Sequence, residues 1–231
     1  MMQFEILTLF PEIFSSFLGE SLIKRALDEK HIHVNLYNFR QHGTGKHLRV
    51  DDAPYGGGPG MVLQVEPIYQ ALKARELHYR AQNQKIHRIL LSPQGEPFKQ
   101  KKAKELSQSD EVLLFICGRY EGFDERIRLY VDEEISGGDF VCLGGEVIAM
   151  MMIETISRLI PGVLGNQESS EVESFAQGML EYPQYTRPSV FKNAKIPEIL
   201  VSGNHQQIEF WRRDEAEKRT NKRRPDLNKN Y

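Results

Sequence analysis

Between residues 112 and 165 the sequence places glycine where a close backbone approach would need it. VLLFIC at 112–117 is an unbroken apolar run, and GRYEG follows it directly at 118–122. SGGDFVCLGGE at 136–146 holds two further glycine turns, the second just before a long apolar stretch that stops at Pro161. Glycine lets the main chain take positive φ and come within contact distance of a ligand. Three such turns at the ends of short strands would make a cradle for a small molecule.

The familiar ways of holding a phosphate or a metal are missing. GTGK at 43–46 has Arg40 where a phosphate-binding loop needs its first glycine and His47 where it needs Ser or Thr. No G-x-G-x-x-G occurs, even within GGGPG at 56–60, so a dinucleotide site is not expected. The seven histidines are scattered, His42 and His47 are too little for a structural zinc, and Cys117 and Cys142 lie in apolar, strand-like runs without zinc spacing. No metal ligand is assigned. The ligand is expected to be held by backbone groups and by shape.

The elements that must position the cradle follow from periodicity. Residues 3–10 read as a strand and 12–30 as a helical stretch broken at Gly19. Ile32, Val34 and Leu36 then alternate as a second strand, a β-α-β beginning. Residues 41–60 show no periodicity and hold six glycines, Gly43, Gly45, Gly56, Gly57, Gly58 and Gly60. A loop of that length inside a compact domain is more often functional or mobile than inert. Its Arg49, Asp51, Asp52 and Tyr55 could bond a base or a phosphate, or be no more than the polar side chains of a solvated loop. Pro67 is expected to open a helix to about Ala81, and residues 86–91 a strand that ends in the turn Ser92-Pro93-Gln94-Gly95. A helix over 98–107 bears Lys99, Lys101, Lys102 and Lys104, a solvated face. Residues 112–117 suit the middle of a parallel sheet. An apolar helix over 145–160 carries Arg158 near its C-terminus, where a cation meets the helix dipole favourably. The expectation is an α/β fold with a mostly parallel sheet. GNQESSEVES at 165–174 reads as a linker, and residues 175–231 as a small helical domain in which Pro188 starts a short helix and Ile208, Phe210 and Trp211 are the large core anchors.

With 40% hydrophobic and 27% charged residues, the composition is that of a globular protein rather than a disordered chain. No run approaches the ~18 apolar residues of a membrane span, and the N-terminus has Glu5 and Pro11 where a secretory signal would be basic and then apolar. With only two cysteines, a cytoplasmic protein without a membrane segment is expected. The formal charge is -2, yet residues 191–231 hold ten Lys and Arg against six Asp and Glu, a local +4 that leaves -6 elsewhere. A basic end on an acidic body can hold phosphates, as can a merely solvated helix surface be basic.

Six segments, in order, resemble one family. DDAPYGGGPGM at 51–61, LSPQG at 91–95, GRYEG at 118–122, SGGDFVCLGGE at 136–146, SRLIPGVLG at 157–165 and YPQYTRP at 182–188 look like the bacterial tRNA (guanine-N1)-methyltransferases TrmD, of the SPOUT class. The resemblance implies a trefoil-knotted SPOUT domain over 1–164, a linker over 165–174 and a helical tRNA-binding domain over 175–231. It implies S-adenosylmethionine as cofactor, held by Leu91, Ser92, Pro93, Gln94 and Gly95 in one loop and by Gly118, Tyr120, Glu121 and Gly122 in a second. Ser136, Gly137, Gly138, Asp139, Phe140, Val141, Cys142, Gly144 and Gly145 would form the third. Asp51, Tyr55 and Gly60 would meet the substrate. A homodimer with each active site at the subunit interface is implied, as is tRNA as partner, with Mg2+ an ion that some of the family suggest. The target would be the guanosine immediately 3′ of the anticodon (G37). A related enzyme with another RNA target and a non-catalytic RNA-binding protein are the rival readings.

The chemistry that the family performs sets a minimum. N1 of neutral guanine carries a hydrogen, so attack needs a general base, and negative charge develops on O6 as the proton leaves. In the resemblance Arg158 stands at the cation's place, and Glu173 stands where the family typically has its catalytic aspartate. Glutamate keeps the acid and adds a methylene, and a misplacement of about 1 Å can cost on the order of a hundredfold in rate. Glu171 is the alternative base. Cys142-Leu143 replaces an expected Leu-Ser, a change that a backbone-held cofactor should tolerate. Glu121 could face the cofactor's ammonium group or make a surface ion pair with Arg119 or Arg126.

Overall fold

The computed structural model describes residues 1–165, 173–175 and 178–227. Contacts divide the chain into two units, Met1–Gly165 and Asn166–Tyr231. The first unit runs β1 (Met2–Thr8), α1 (Ser15–Gly19), α2 (Ser21–Asp28), β2 (Ile32–Asn38), β3 (Asp51–Asp52), β4 (Val62–Leu63), α3 (Val65–Arg80), β5 (Ile86–Pro97), α4 (Gln100–Ser107), β6 (Val112–Cys117), β7 (Glu133–Ser136) and α5 (Glu146–Ser157). Five strands form one parallel sheet in the order β2-β1-β6-β5-β7.

Period-two alternation explains why this sheet needs helices on both faces. Leu113, Phe115 and Cys117 of β6 join Phe4 and Ile6 of β1 in one core, together with Ala149, Met152, Ile153 and Ile156 of α5. Leu114 and Ile116 point the other way, into a second core with Leu7, Ile68, Ala71 and Leu72. All six residues of β6 are buried, and it is the central strand, as its unbroken apolar run predicts. Glu5 of β1 is buried as well. Arg75 Nε at 2.9 Å, Tyr79 Oη at 2.6 Å and Asn35 Nδ2 surround its carboxylate, so its charge is answered inside the sheet's second face.

Several expectations need correction. β5 does not end at Leu91. Leu91 and Glu96 both pair with Ile135, so residues 92–95 bulge out of the ladder and the strand resumes to Pro97. A bulge accommodates both proline and glycine, which is why Pro93 and Gly95 imitate a strand end. Helix α3 starts at Val65, two residues before Pro67, whose missing N–H falls among the first-turn donors that have no helical acceptor. The glycine-rich stretch is not featureless. Thr44 bridges Arg49, and β3 pairs antiparallel with β4. Cys142 lies exposed in a loop, while Cys117 is buried in β6.

In the second unit β8 (Val190–Phe191) and β9 (Ala194–Lys195) form a small antiparallel hairpin, and α6 spans His205–Arg223. Pro188 therefore precedes a hairpin and does not begin a helix. Phe210 is 77% exposed, and the buried positions of α6 are Ala216 and Thr220, one helical turn apart. Thr220 Oγ1 accepts from Leu180 N–H at 2.8 Å and donates to Ala216 O, tying the start of this unit to its helix.

A charge cluster joins two of the three strands that carry the cradle's loops, β5 and β7. His87 of β5 sits 2.7 Å from Glu133 of β7 and 3.6 Å from Glu111, and Lys102 reaches Glu133 at 3.1 Å. The hydrogen bond to Glu133 lifts the His87 pKa, and the same bond lowers that of Glu133. The histidine term is complete below its unfolded pKa of about 6.5 and fades as pH rises through the raised folded value. The Glu133 term is complete above its ordinary 4.5 and is lost on acidification. Stability is therefore expected to fall as pH rises above about 6.5, and His87→Gln to flatten that slope. Urea midpoints across the range check it.

Candidate cofactor and methyl-transfer site

The cavity lies at the bulge of β5 and just past the ends of β6 and β7, along the carboxyl edge at which open α/β sheets bind ligands. Each strand gives it a loop. The first is the 92–95 bulge, closed by Gln94 N–H donating to Ser92 Oγ at 3.1 Å. Arg128 supports it from below. Its Nη2 donates to Gln94 Oε1 at 2.7 Å and to Glu134 Oε1 at 2.9 Å.

The second loop leaves β6 at Gly118. Tyr120 takes a left-handed φ of 59°, a conformation costly for a bulky residue and one that the surroundings must enforce. Backbone bonds supply that enforcement. Glu121 N–H donates to Met61 O, Leu63 N–H to Gly122 O and Asp124 N–H to Leu63 O, each at 2.9 Å. The end of the glycine-rich stretch is thus stitched onto this loop, and Gly60 abuts the Glu121 side chain. Arg119 pairs with Glu146 and Arg126 with Asp124, so neither makes the surface ion pair with Glu121. The third loop begins at Ser136, whose Oγ accepts from Gly138 N–H at 3.1 Å, and ends at Gly145, whose N–H donates to Gly118 O at 2.9 Å.

These loops enclose about 270 Å³, close to the lower end of the roughly 300–1,000 Å³ of small-molecule pockets. Of the expected cofactor residues, Leu91, Ser92, Pro93 and Gln94 line it, as do Gly118, Tyr120, Glu121 and Gly122 and, from the third loop, Ser136, Gly137, Phe140, Val141, Cys142, Gly144 and Gly145. Gly95, Gly138 and Asp139 do not. Gly95 packs on the backbone of Glu134, and Gly138 on the Phe140 ring. Arg119, Phe123, Glu125, Arg128, Ile135, Leu143 and Ile148 line it without having been expected. Arg119 and Leu143 lie inside the glycine segments and were legible there. Glu125 and Arg128 arrive because the 3-10 turn Glu125–Tyr130 comes back beneath the bulge, which no local pattern signals.

The wall combines apolar side chains with a few charged ones. Leu91, Ile135, Phe140 and Ile148 are apolar, seven of the other lining residues are glycine or serine, and Glu121 is an acid that makes no salt bridge among the described residues, whereas Arg119 and Arg128 are paired with Glu146 and Glu134. Among the described residues no group of three or more His, Cys, Asp or Glu comes together as a metal site.

Within the first unit, Asp51, Tyr55 and Arg158 are not among the residues that line the cavity. Asp51 pairs with Leu63 in the β3-β4 hairpin, and Tyr55 is wholly exposed at its outer end. Arg158 caps the C-terminus of α5 and lines a different groove, with Phe17, Leu22, Glu154 and Val163, that shares no residue with the cavity. Glu173 is half-buried in the second unit, beside Ser174, whose Oγ accepts from Glu181 N–H at 3.0 Å. Glu171 lies outside the described residues, as does most of the expected linker.

Comparison with known proteins gives one family. The family described as tRNA (Guanine-1)-methyltransferase TrmD matches residues 2–230. The chain is similar to a protein of Desulfitobacterium hafniense (strain Y51), 54% identical over 226 residues that cover 98% of this chain and 84% of the relative. It is also similar to proteins of Citrifermentans bemidjiense, 53% identical over 227 residues (98% and 89%), and of Staphylococcus aureus (strain MRSA252), 49% identical over 231 residues (100% and 92%). Each of the three relatives is named tRNA (guanine-N(1)-)-methyltransferase.

Proposed function

We infer the function from one premise: the chain belongs to the tRNA (guanine-1)-methyltransferase family TrmD. It is a tRNA methyltransferase that acts on N1 of guanine. We propose further that it takes the methyl group from S-adenosylmethionine and places it on the guanosine immediately 3′ of the anticodon. The observation that carries the cofactor assignment is the cavity itself, formed by the bulge of β5 and the loops after β6 and β7, three segments that coincide with those of the resemblance. Its apolar wall suits an adenine, and the Glu121 carboxylate suits the ammonium of the methionyl end. When bound, the cofactor supplies a methyl group already activated by its sulfonium, so the protein needs no nucleophile of its own.

The chain's residues then have two tasks. Glu173 takes the N1 proton, and the Arg158 guanidinium stabilises the charge that grows on O6. The Asp51, Tyr55 and Gly60 stretch closes over the guanosine, with Gly60 already against Glu121. Basic residues of the second unit, among them Lys192, Lys195, Arg212 and Arg213, meet tRNA phosphates. The domain division is 1–164 for cofactor and chemistry, 165–174 for the linker and 175–231 for tRNA. A trefoil knot in the first domain belongs to the same proposal, as does cytoplasmic location; among the described residues no helix is long and apolar enough to cross a membrane.

A homodimer completes the site in this reading. Arg158 and the cofactor cavity share no lining residue within one chain, so a second copy is the natural source of the cation. Exposed apolar side chains on the elements beside Arg158, Ile13, Leu22 and Val147, suit such a contact.

The test is direct. The purified protein is incubated with methyl-tritiated S-adenosylmethionine and an unmodified tRNA transcript bearing guanosine after the anticodon, with and without Mg2+, and the digest is resolved into nucleosides. Labelled 1-methylguanosine is expected. A label on ribose or on another base, or cofactor binding with no transfer to RNA, would overturn the reading.

A further inference from the structure

The second and third loops of the cavity meet over a buried ion pair that the methyl transfer itself does not use. Glu146, the first residue of α5, is 1% exposed. Thr8 Oγ1, at the end of β1, donates to its Oε1 at 2.8 Å. Arg119 Nη2 lies 2.9 Å from Oε2 without the alignment of a hydrogen bond, so charge holds this oxygen. The guanidinium is fixed on its other sides as well, 4.5 Å from the Phe10 ring centre and with Nη1 at 3.4 Å from Leu143 O. Arg119 is the only cation paired with Glu146 among the described residues.

Burial makes the pair exacting. A carboxylate removed from water needs its counter-charge, and the N-terminus of α5 answers only part of it. Arg119 must therefore stay where Glu146 is. Its neighbours in sequence, Gly118 and Tyr120, line the cavity, and so do Leu143 and Gly144 across from it. The main chain repeats the connection, with a bridge between Arg119 and Gly144. No slack is left between them: a Cβ on Gly144 would lie 2.3 Å from Arg119 Nε.

We propose that Arg119 and Glu146 are positioning residues for the cofactor, with Thr8 orienting the carboxylate. Together they fix the second loop against the third, and that fixed spacing sets cofactor affinity. The inference rests on the assignment of this cavity to S-adenosylmethionine. A role confined to stability would lower the melting temperature and leave binding unmoved below it. A positioning role changes binding in the folded protein.

The experiment titrates S-adenosylhomocysteine into the full chain by calorimetry, well below the melting temperature. Arg119→Gln and Glu146→Gln are each expected to weaken Kd by about tenfold or more. The double variant is expected to bind no worse than the weaker single, since both remove one shared contact. Arg119→Lys should recover only part of the affinity, because an ammonium cannot hold both Glu146 and Leu143 O. In turnover, KM for the cofactor rises and KM for tRNA stays. If either charge variant fails to fold, Thr8→Val, which removes one hydroxyl, must weaken binding in the same direction and Thr8→Ser restore it. Folded variants with Kd within about twofold of the unsubstituted protein, or losses that simply add, overturn the inference alone. No binding by the unsubstituted protein overturns the cofactor assignment, and the inference with it.

Discussion

Glu173→Gln is expected to lower kcat for tRNA methylation by roughly 10²- to 10⁴-fold, the span that a positioned general base contributes. Glutamine keeps the shape and the hydrogen-bonding reach of the side chain and loses only the ability to accept the N1 proton. Cofactor affinity should stay within about twofold, since the binding of the cofactor precedes the loss of that proton and does not depend on it. Glu173→Asp keeps the acid and restores the length typical of the family, so it should retain activity. If Glu173→Gln turns over normally, proton removal belongs to another group, and Glu171→Gln is then the informative variant. Single-turnover rates and a cofactor titration on both variants separate these outcomes.

Gly145→Ala carries the second large effect, on the cavity rather than the chemistry. A Cβ at this position would lie 2.9 Å from Cys117 Cα and 3.0 Å from Gly118 N. Both are backbone atoms, one of the central strand and one just past its end, and neither can rotate aside. Helix α5 would have to withdraw from β6, which breaks the Gly145 N–H bond to Gly118 O and spreads the second and third loops. Overpacking of this kind costs about 1–3 kcal/mol of stability. The larger consequence is expected in cofactor binding, a loss of about a hundredfold, because misplacement of the walls reaches every contact at once. Urea unfolding and calorimetric titration measure the two separately.

Much of the frame is legible in the sequence. The run VLLFIC announces a strand buried on both faces, and β6 is the sheet's centre. The glycine turns after it announce the cavity, because close backbone approach has a sequence signature. Features that depend on distant partners left no such mark. The bulge in β5 is invisible because Pro93 and Gly95 also end strands, and only pairing of both Leu91 and Glu96 with Ile135 reveals continuation. Strands of two residues, as in β8 and β9, are too short to show a period. Arg128 supports the first loop through Gln94 across 34 residues of sequence, and Arg119 meets Glu146 across a shorter but still non-local gap. Ile208, Phe210 and Trp211 read as the large core anchors, yet Phe210 is exposed and the buried positions of α6 are the small pair Ala216 and Thr220. Nor could local sequence tell that Arg158 would line a groove apart from the cavity.

That separation gives the most direct test of an active site shared between two chains. Arg158→Ala leaves the cavity intact and removes the cation, and Gly145→Ala leaves the cation and spoils the cavity. Each variant alone should make little labelled 1-methylguanosine. Mixed at equal concentration and allowed to exchange subunits, half the dimers should be mixed, and by two-fold symmetry each mixed dimer regains one complete site of two, about a quarter of the unsubstituted activity. Recovery of that size is the predicted result. Mixed dimers that form, as seen by native mass spectrometry, and yet stay inactive would contradict the account.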